Sequence, residues 1–284
     1  MAFMINTNVA SLTAQRSLAS NTNALSTTFK RLSSGLRINS AADDAAGLSI
    51  SDRMTSQIRG FNQSVRNAND TISLIQVAEG ALTETTNALQ RMRELAIQAA
   101  NDTAVRSDRQ DMQKEVNQMV AEIDRIARNT QFNNQYLLQG SFNEGKRFHV
   151  GANADQTIML TITSMYASAL GVDAATMVSF ANVTETASLN QNRAESAIAR
   201  IDLALSSVDA LRASLGSVQN RFEAAITSLT NVSLNTSNAR SRIMDTDMAA
   251  ETAKLTQNSI LQQAGTAVLA QANQQPAVIL QLLK

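Results

Sequence analysis

No cysteine, no tryptophan, one histidine and one proline occur among the 284 residues of this chain. Without cysteine there can be no disulfide, thiolate nucleophile, zinc–thiolate site or iron–sulfur cluster. The solitary His149 rules out a metal site built from several histidines. Aromatic residues are only 4% (8 Phe, 2 Tyr) and there are 10 glycines, too few breakers for a sandwich or barrel that turns every ten residues or so. Charge of one sign is also lacking: 24 Lys and Arg face 24 Asp and Glu, whereas a dedicated nucleic-acid binder carries a basic excess. No apolar run approaches the ~18 residues that span a bilayer. The opening Met1-Ala2-Phe3-Met4-Ile5-Asn6 has neither the basic nor the apolar region of a Sec-type signal, which by itself points to the cytoplasm.

What the chain does have is periodicity. Ile58, Val65 and Ile72 recur every seven residues, as do Phe61, Ala68, Ile75, Leu82, Leu89 and Ala96. This a/d seam predicts a helix from about Ala45 to Ala100, about 80 Å long at the α-helical rise, ended by Asn101-Asp102-Thr103. Met112, Val116, Met119, Ile123 and Ile126 then step by four and three, predicting a second helix to about Arg128. Ile201, Val208, Leu215, Phe222 and Leu229, joined by Ile198, Leu205 and Ile226, mark a third that runs for most of 50 residues. Such stripes bury themselves only against one another. The fold class is therefore mainly α: an elongated helical bundle, a coiled-coil rod, with a small β-hairpin region and amphipathic terminal segments. Hydrophobic residues make up 44%, enough for a thin aliphatic core, and charged residues only 17%, below the usual quarter. A surface so poor in charge suits a subunit that packs on many sides.

Residues 140–187 differ in texture. They hold Gly140, Gly145, Gly151 and Gly171, and Phe148 to Val150 and Thr157 to Ile162 alternate with period two, predicting a hairpin or small sheet beside the rod. The ends are distinctive as well. Residues 1–40 hold no acid but Arg16, Lys30, Arg31 and Arg37, with Leu18, Leu25 and Leu32 spaced by seven. The C-terminal segment is amphipathic through Leu255, Ile260, Leu261, Val268 and Leu269 and closes on an apolar cluster from Val278 to Leu283. Both ends pair and are buried only in an assembly, on this reading, against the blander one of helices folding back on the rod.

No motif adds up to catalysis. Gly140 to Arg147 imitates a phosphate loop, yet Arg147 stands where magnesium needs Ser or Thr, and the helix precedes the loop; a turn is the expected identity. Asp245, Asp247 and Glu251 lack the third ligand, glycine and terminal glutamate of a calcium loop, and read as first-turn acids, as Asp43 and Asp44 do before Ala45. His149 has no nucleophile elbow to serve. Catalytic, cofactor and metal residues are therefore expected to be none.

The run Arg31-Leu32-Ser33-Ser34-Gly35-Leu36-Arg37-Ile38-Asn39-Ser40-Ala41-Ala42-Asp43-Asp44-Ala45-Ala46-Gly47-Leu48 closely resembles the N-terminal signature of bacterial flagellin. Ile5 to Asn8, Gln90 to Gln98, and Ala264 with Ala272 to Lys284 match the family too, so the resemblance covers about 1–140 and 188–284. It implies a short form with a reduced central region: a structural subunit of the helical flagellar filament, serving motility and exported unfolded by the flagellar type III system. Residues 1–43 and 241–284 would form a discontinuous inner-tube domain that orders on assembly, and 44–240 the helical rod, with 140–187 its small β region. On the same resemblance the terminal helices form a coiled coil, carried by Leu18, Leu25, Leu32, Leu255, Leu261, Val268, Leu282 and Leu283. Gln90, Arg91, Glu94, Leu95, Gln98 and Glu115 match the segment that Toll-like receptor 5 contacts, Leu95 standing out as an apolar residue off the seam. The other implied partners are further copies of the chain, hook-associated junction and cap proteins and an export chaperone, with no nucleic acid and no membrane insertion. The implied location is extracellular, in a flagellum, or in a periplasmic flagellum of the spirochaete kind. A hook–filament junction protein is the rival structural reading.

Overall fold

The structure, a computed structural model, describes residues 7–173 and 187–282, with side chains over 7–173 and 192–275. The elements in chain order are α1 (Val9–Ser34), α2 (Ala45–Ala100), α3 (Arg106–Asn129), β1 (Gln131–Phe132), β2 (Gln135–Tyr136), β3 (Phe142–His149), β4 (Thr157–Ile162), α4 (Ala167–Leu170), α5 (Ala187–Met244) and α6 (Met248–Leu282). The three heptad-bearing stretches are helices, and α2 has the bounds its periodicity implied. The chain forms two compact units: one joins the chain up to Ile58 with the chain from Leu234, the other is Arg59–Ser233.

In the second unit, Ala68, Ile75, Leu82, Leu89 and Ala96 of α2 are fully enclosed. Facing them are Val116 and Ile123 of α3 and Ile201, Val208, Leu215 and Phe222 of α5. Ion pairs fix the directions. Arg93 meets Asp202 at 2.7 Å and Arg212 meets Glu79 at 3.8 Å, so α5 runs antiparallel to α2. The reversal between α2 and α3 rests on Arg109, a buried cation of α3. Its Nε donates to the carbonyl of Ala99 (2.9 Å), in the last turn of α2, and its Nη2 to that of Asn101 (3.1 Å), just beyond the helix, which also accepts from the Ala104 N–H.

Two antiparallel hairpins follow α3. Asn133 and Asn134 both take positive φ (47° and 61°), the backbone a two-residue turn between β1 and β2 requires. β3 and β4 pair from Phe142↔Ile162 to His149↔Thr157, and Phe142, Ile158, Leu160 and Ile162 point into the core. The glycine-rich segment 140–147 is thus not simply a turn. Gly140 (φ 92°) precedes β3, and Gly145 (φ 79°) lies inside it, where the pairing register shifts between Phe142 and Lys146. The lack of a Cβ at Gly145 is what lets the strand bulge. Phe148 then sets its ring edge-on to Phe222, centroids 6.3 Å apart at 83°, and Ser64 Oγ donates to the carbonyl of Gly151 at 2.7 Å.

The first unit is built on α1 and α6, which pack along much of their length. Gly35 ends α1 with left-handed backbone (φ 71°), its N–H returning to the Arg31 carbonyl. A short ladder follows: Arg37 N–H donates to Met244 O (2.6 Å), Thr246 N–H to Gly35 O (3.0 Å), and Leu36 bridges Asp245. Asp44 caps α2 through the Gly47 N–H (2.8 Å), and Asp247 caps α6 through Ala249 and Ala250. Asp44 and Asp247 therefore act on helix starts, as their positions suggested, whereas Asp43 holds the Asn39–Ser40 turn and Glu251, in the first turn of α6, pairs with Arg31 and Lys254.

Candidate functional site

Among the described residues no group of three or more His, Cys, Asp or Glu is placed to hold a metal, and no helix is long and apolar enough to cross a membrane. The surfaces with something to do are the α1·α6 pair and the outer face of α2 with α3.

Along α1 the residues facing α6 step by three and four: Ser11, Ala14, Leu18, Asn21, Leu25, Thr28, Leu32. On α6 they are Glu251, Leu255, Asn258, Gln262, Gly265, Leu269 and Ala272. Cross-links set an antiparallel register. Asn8 Nδ2 donates to Ala272 O (2.7 Å), Ser11 Oγ to Asn273 Oδ1 (2.6 Å) and Asn21 Nδ2 to Asn258 O (2.8 Å). At the other end the carboxylate of Glu251, a buried residue, lies 3.9 Å from Arg31 and 3.3 Å from Lys254. The spacing is that of a coiled coil, yet the most buried positions are Ser11, Thr28, Glu251 and Ala272, while Leu18, Leu25, Leu32 and Leu255 are half-buried. A seam this polar gains little from apolar burial.

Two of the leucine-type residues expected in the terminal pairing lie elsewhere. Leu261 and Val268 do not face α1; they are 50% and 56% exposed and wall an apolar groove of about 640 Å³ whose floor includes Ala14, Leu18 and Gly265. The reason is helical phase, since both sit one position before a seam residue and project about 100° from it. Leu282 ends α6 but its side chain lies outside the described residues, as does all of Leu283. The polar seam residues of α1 share the 4–3 spacing of Leu18, Leu25 and Leu32, which is the signal of the seam that the sequence carries.

On the second unit Gln90, Arg91, Glu94 and Gln98 share the exposed face of α2. Arg91 Nε donates to Glu115 Oε1 of α3 at 2.8 Å and Nη1 to Glu94 at 3.0 Å, so one guanidinium ties two helices. Those hydrogen bonds, to Glu115 first and then Glu94, hold its pKa above the ordinary arginine value. Leu95 needs correction. At 2% exposure it belongs to the core with Met92, Ala96 and Ala99, and the apolar side chain presented outward is Ile97, 49% exposed. A helix flanked by α3 and α5 buries a wider stripe than the a/d pair alone.

Known proteins of the same design can be set against this geometry. The bacterial flagellin N-terminal helical region matches residues 5–143 and the flagellin C-terminal helical region residues 198–283. The flagellin of Halalkalibacterium halodurans is 46% identical over 281 residues, covering 99% of this chain and all of the relative. The flagellar filament 33 kDa core protein of Treponema phagedenis is 44% identical over 290 residues, with 99% and 100% covered. A solved structure described as a flagellar hook-associated protein from Vibrio parahaemolyticus is 14% identical, covers 72% of this chain and all of the other, and superposes at a TM-score of 0.53, a likeness of helical fold alone. With both helical regions matched and relatives aligned end to end, the chain belongs to the bacterial flagellin family, structural proteins of the flagellar filament and not enzymes.

Proposed function

We propose that this chain assembles by ordering its two ends against each other and against neighbouring copies. Residues 1–43 and 241–284 form the inner layer of the filament and 44–240 the helical layer around it. The observation that carries this reading is the α1·α6 pair. From Leu255 to Leu283 there is no charged residue, the seam toward α1 is half polar, and Ile260, Leu261 and Val268 remain exposed on α6. A helix without charge beyond Lys254, with apolar side chains outside its contact with α1, is built for surroundings other than water. Fixing each residue of both helices costs about 1–2 kcal/mol in backbone entropy, more than this thin seam returns, so order in α1 and α6 comes with association. Contact between unlike surfaces of identical copies, where its rotation closes no ring, propagates as a helix.

Hydrogen exchange tests the reading. Amides of 9–34 and 248–282 should exchange fast in dilute monomer and slowly in filaments, while those buried between α2 and α5 near Ile75 and Leu215 are protected in both. Full protection of the ends in monomer would contradict it.

Export in an unfolded state through the flagellar type III channel fits a chain without cysteine whose ends are ordered late. A chaperone holding the C-terminal segment, and junction and cap proteins bracketing the filament, complete the proposed partners. The filament is placed outside the cell and drives motility; the likeness to Treponema filament core proteins makes a periplasmic one the alternative, which labelling of intact cells with an antibody to the chain decides. Recognition by Toll-like receptor 5 is proposed through Gln90, Arg91, Glu94, Gln98 and Glu115, with Leu95 supporting the face from beneath. Arg91→Ala should weaken monomer binding to the receptor ectodomain by tenfold or more, as expected for loss of a charge-assisted hydrogen bond. Unchanged binding would remove this part.

A further inference from the structure

The α1·α6 pair is asymmetric about its seam. Counting about 100° per residue from the seam centre, Phe29 projects some 45° to one side of α1, and Met248 projects from α6 toward that same side. Both are conspicuously open, 56% and 49% exposed, in a chain that has few aromatic residues. On the opposite side of the same pair lies the 640 Å³ groove, floored by Ala14 and Gly265 and walled by Leu261 and Val268. Phe29 and the groove at Ala14 are also offset by about 22 Å along the helix, at 1.5 Å per residue. The groove wall on α6 and the stretch of α1 between the two surfaces carry no charge, none from Leu255 to Leu283 and none from Ser17 to Phe29, while Lys30, Arg31, Asp247 and Glu251 border the Phe29–Met248 side with both signs.

We propose that in the filament the Phe29–Met248 patch of one copy seats in the α1·α6 groove of its neighbour. This rests on the self-assembly reading above and names the surfaces that carry it. The arrangement has the required logic: bulky projection and apolar hollow occupy opposite sides of one helix pair, displaced along it. Two copies cannot satisfy both surfaces mutually, and each added copy presents a fresh hollow. The aromatic ring meets small residues, Ala14 and Gly265, in a groove of about 640 Å³, and Leu261 and Val268 lose the exposure that the single chain leaves them.

The test is photo-crosslinking. A chain carrying benzoyl-phenylalanine in place of Phe29 is copolymerised with a large excess of isotopically heavy, otherwise unaltered chain, and illuminated. Adducts between light and heavy chains should map to residues 9–21 or 261–268 in filaments and be missing from dilute monomer. Adducts mapping elsewhere in well-formed filaments overturn the proposal and leave the filament reading standing. Failure of the unaltered chain to polymerise on seeds overturns both. Two substitutions on exposed positions give an independent readout. Phe29→Ala empties the projection and Ala264→Phe fills the hollow, and each should raise the critical concentration for seeded growth roughly tenfold or more, the scale of one buried phenylalanine. The double variant should be no worse than the poorer single one, because either change already breaks the same contact. Additive effects, or no effect from either, count against it.

Discussion

Gly265 offers a test in which two effects of opposite sign can be weighed. It lies in the interior of α6, where glycine is about 0.8–1.0 kcal/mol less favourable than alanine. A Cβ at this position comes within 3.3 Å of Leu18 Cδ1, close enough that Leu18 must yield by a few tenths of an ångström. Leu18 can yield, because it is half-buried and its far end borders the open groove. Twisting a side chain 30° off its rotamer costs about 0.5–1.5 kcal/mol, and this smaller shift costs less. Gly265→Ala should therefore stabilise the α1·α6 pair in the monomer by about 0.5 kcal/mol, roughly a twofold shift in its helix–coil balance. Near balance such a shift is visible as increased far-ultraviolet helicity and slower exchange across 9–34. In the filament a neighbour's side chains fill the groove, Leu18 loses its room, and the critical concentration should not fall in step. A drop in monomer helicity would refute the reasoning, since it would mean that Leu18 is pinned.

Other consequences follow from the second unit and the junctions. Phe222→Ala removes a fully enclosed ring and should cost about 3–5 kcal/mol, lowering the melting temperature of this unit by about 6–20 °C in calorimetry, with a coupling to Phe148→Ala of about 0.5–1.5 kcal/mol in a double-mutant cycle. Arg109→Met keeps the bulk but leaves the Ala99 and Asn101 carbonyls without their cation; a loss of about 1.5–3 kcal/mol in urea unfolding is expected. The Asp43 carboxylate accepts from the backbone of Asn39 and from Ser40, which holds its pKa below the ordinary 3.8. A depressed carboxylate stabilises the fold above its unfolded value and loses that contribution as pH falls through its folded one. Protection of the Asn39 and Ser40 amides should thus be steady above about pH 5 and drop below about pH 4, and Asp43→Asn should abolish the drop.

The long helices of the second unit were legible because their apolar residues repeat at a spacing that only a helix can bury on one side. The β3–β4 hairpin was legible from the alternation of Thr157 to Ile162. What escaped is three-dimensional. Leu95 looked like a surface residue because a single a/d seam has one partner, whereas α2 is enclosed by two. Arg109 reads as one more surface cation until the end of α2 is seen to lie against it. At the termini Leu255, Leu261, Val268 and Leu269 all looked like one apolar stripe. Helical phase divides them, Leu255 and Leu269 toward α1 and Leu261 and Val268 toward the groove, and the polar residues at seam positions hid the true register.

The most direct measurement on the central claim is seeded polymerisation of the full chain beside a truncation after Arg240, followed by sedimentation and electron microscopy. The truncation removes α6 and with it the seam and the groove wall, while Arg59–Ser233 keeps its core. The account predicts filaments from the full chain and none from the truncated one, whose second unit still melts cooperatively. Filaments of normal form from the truncated chain would contradict it.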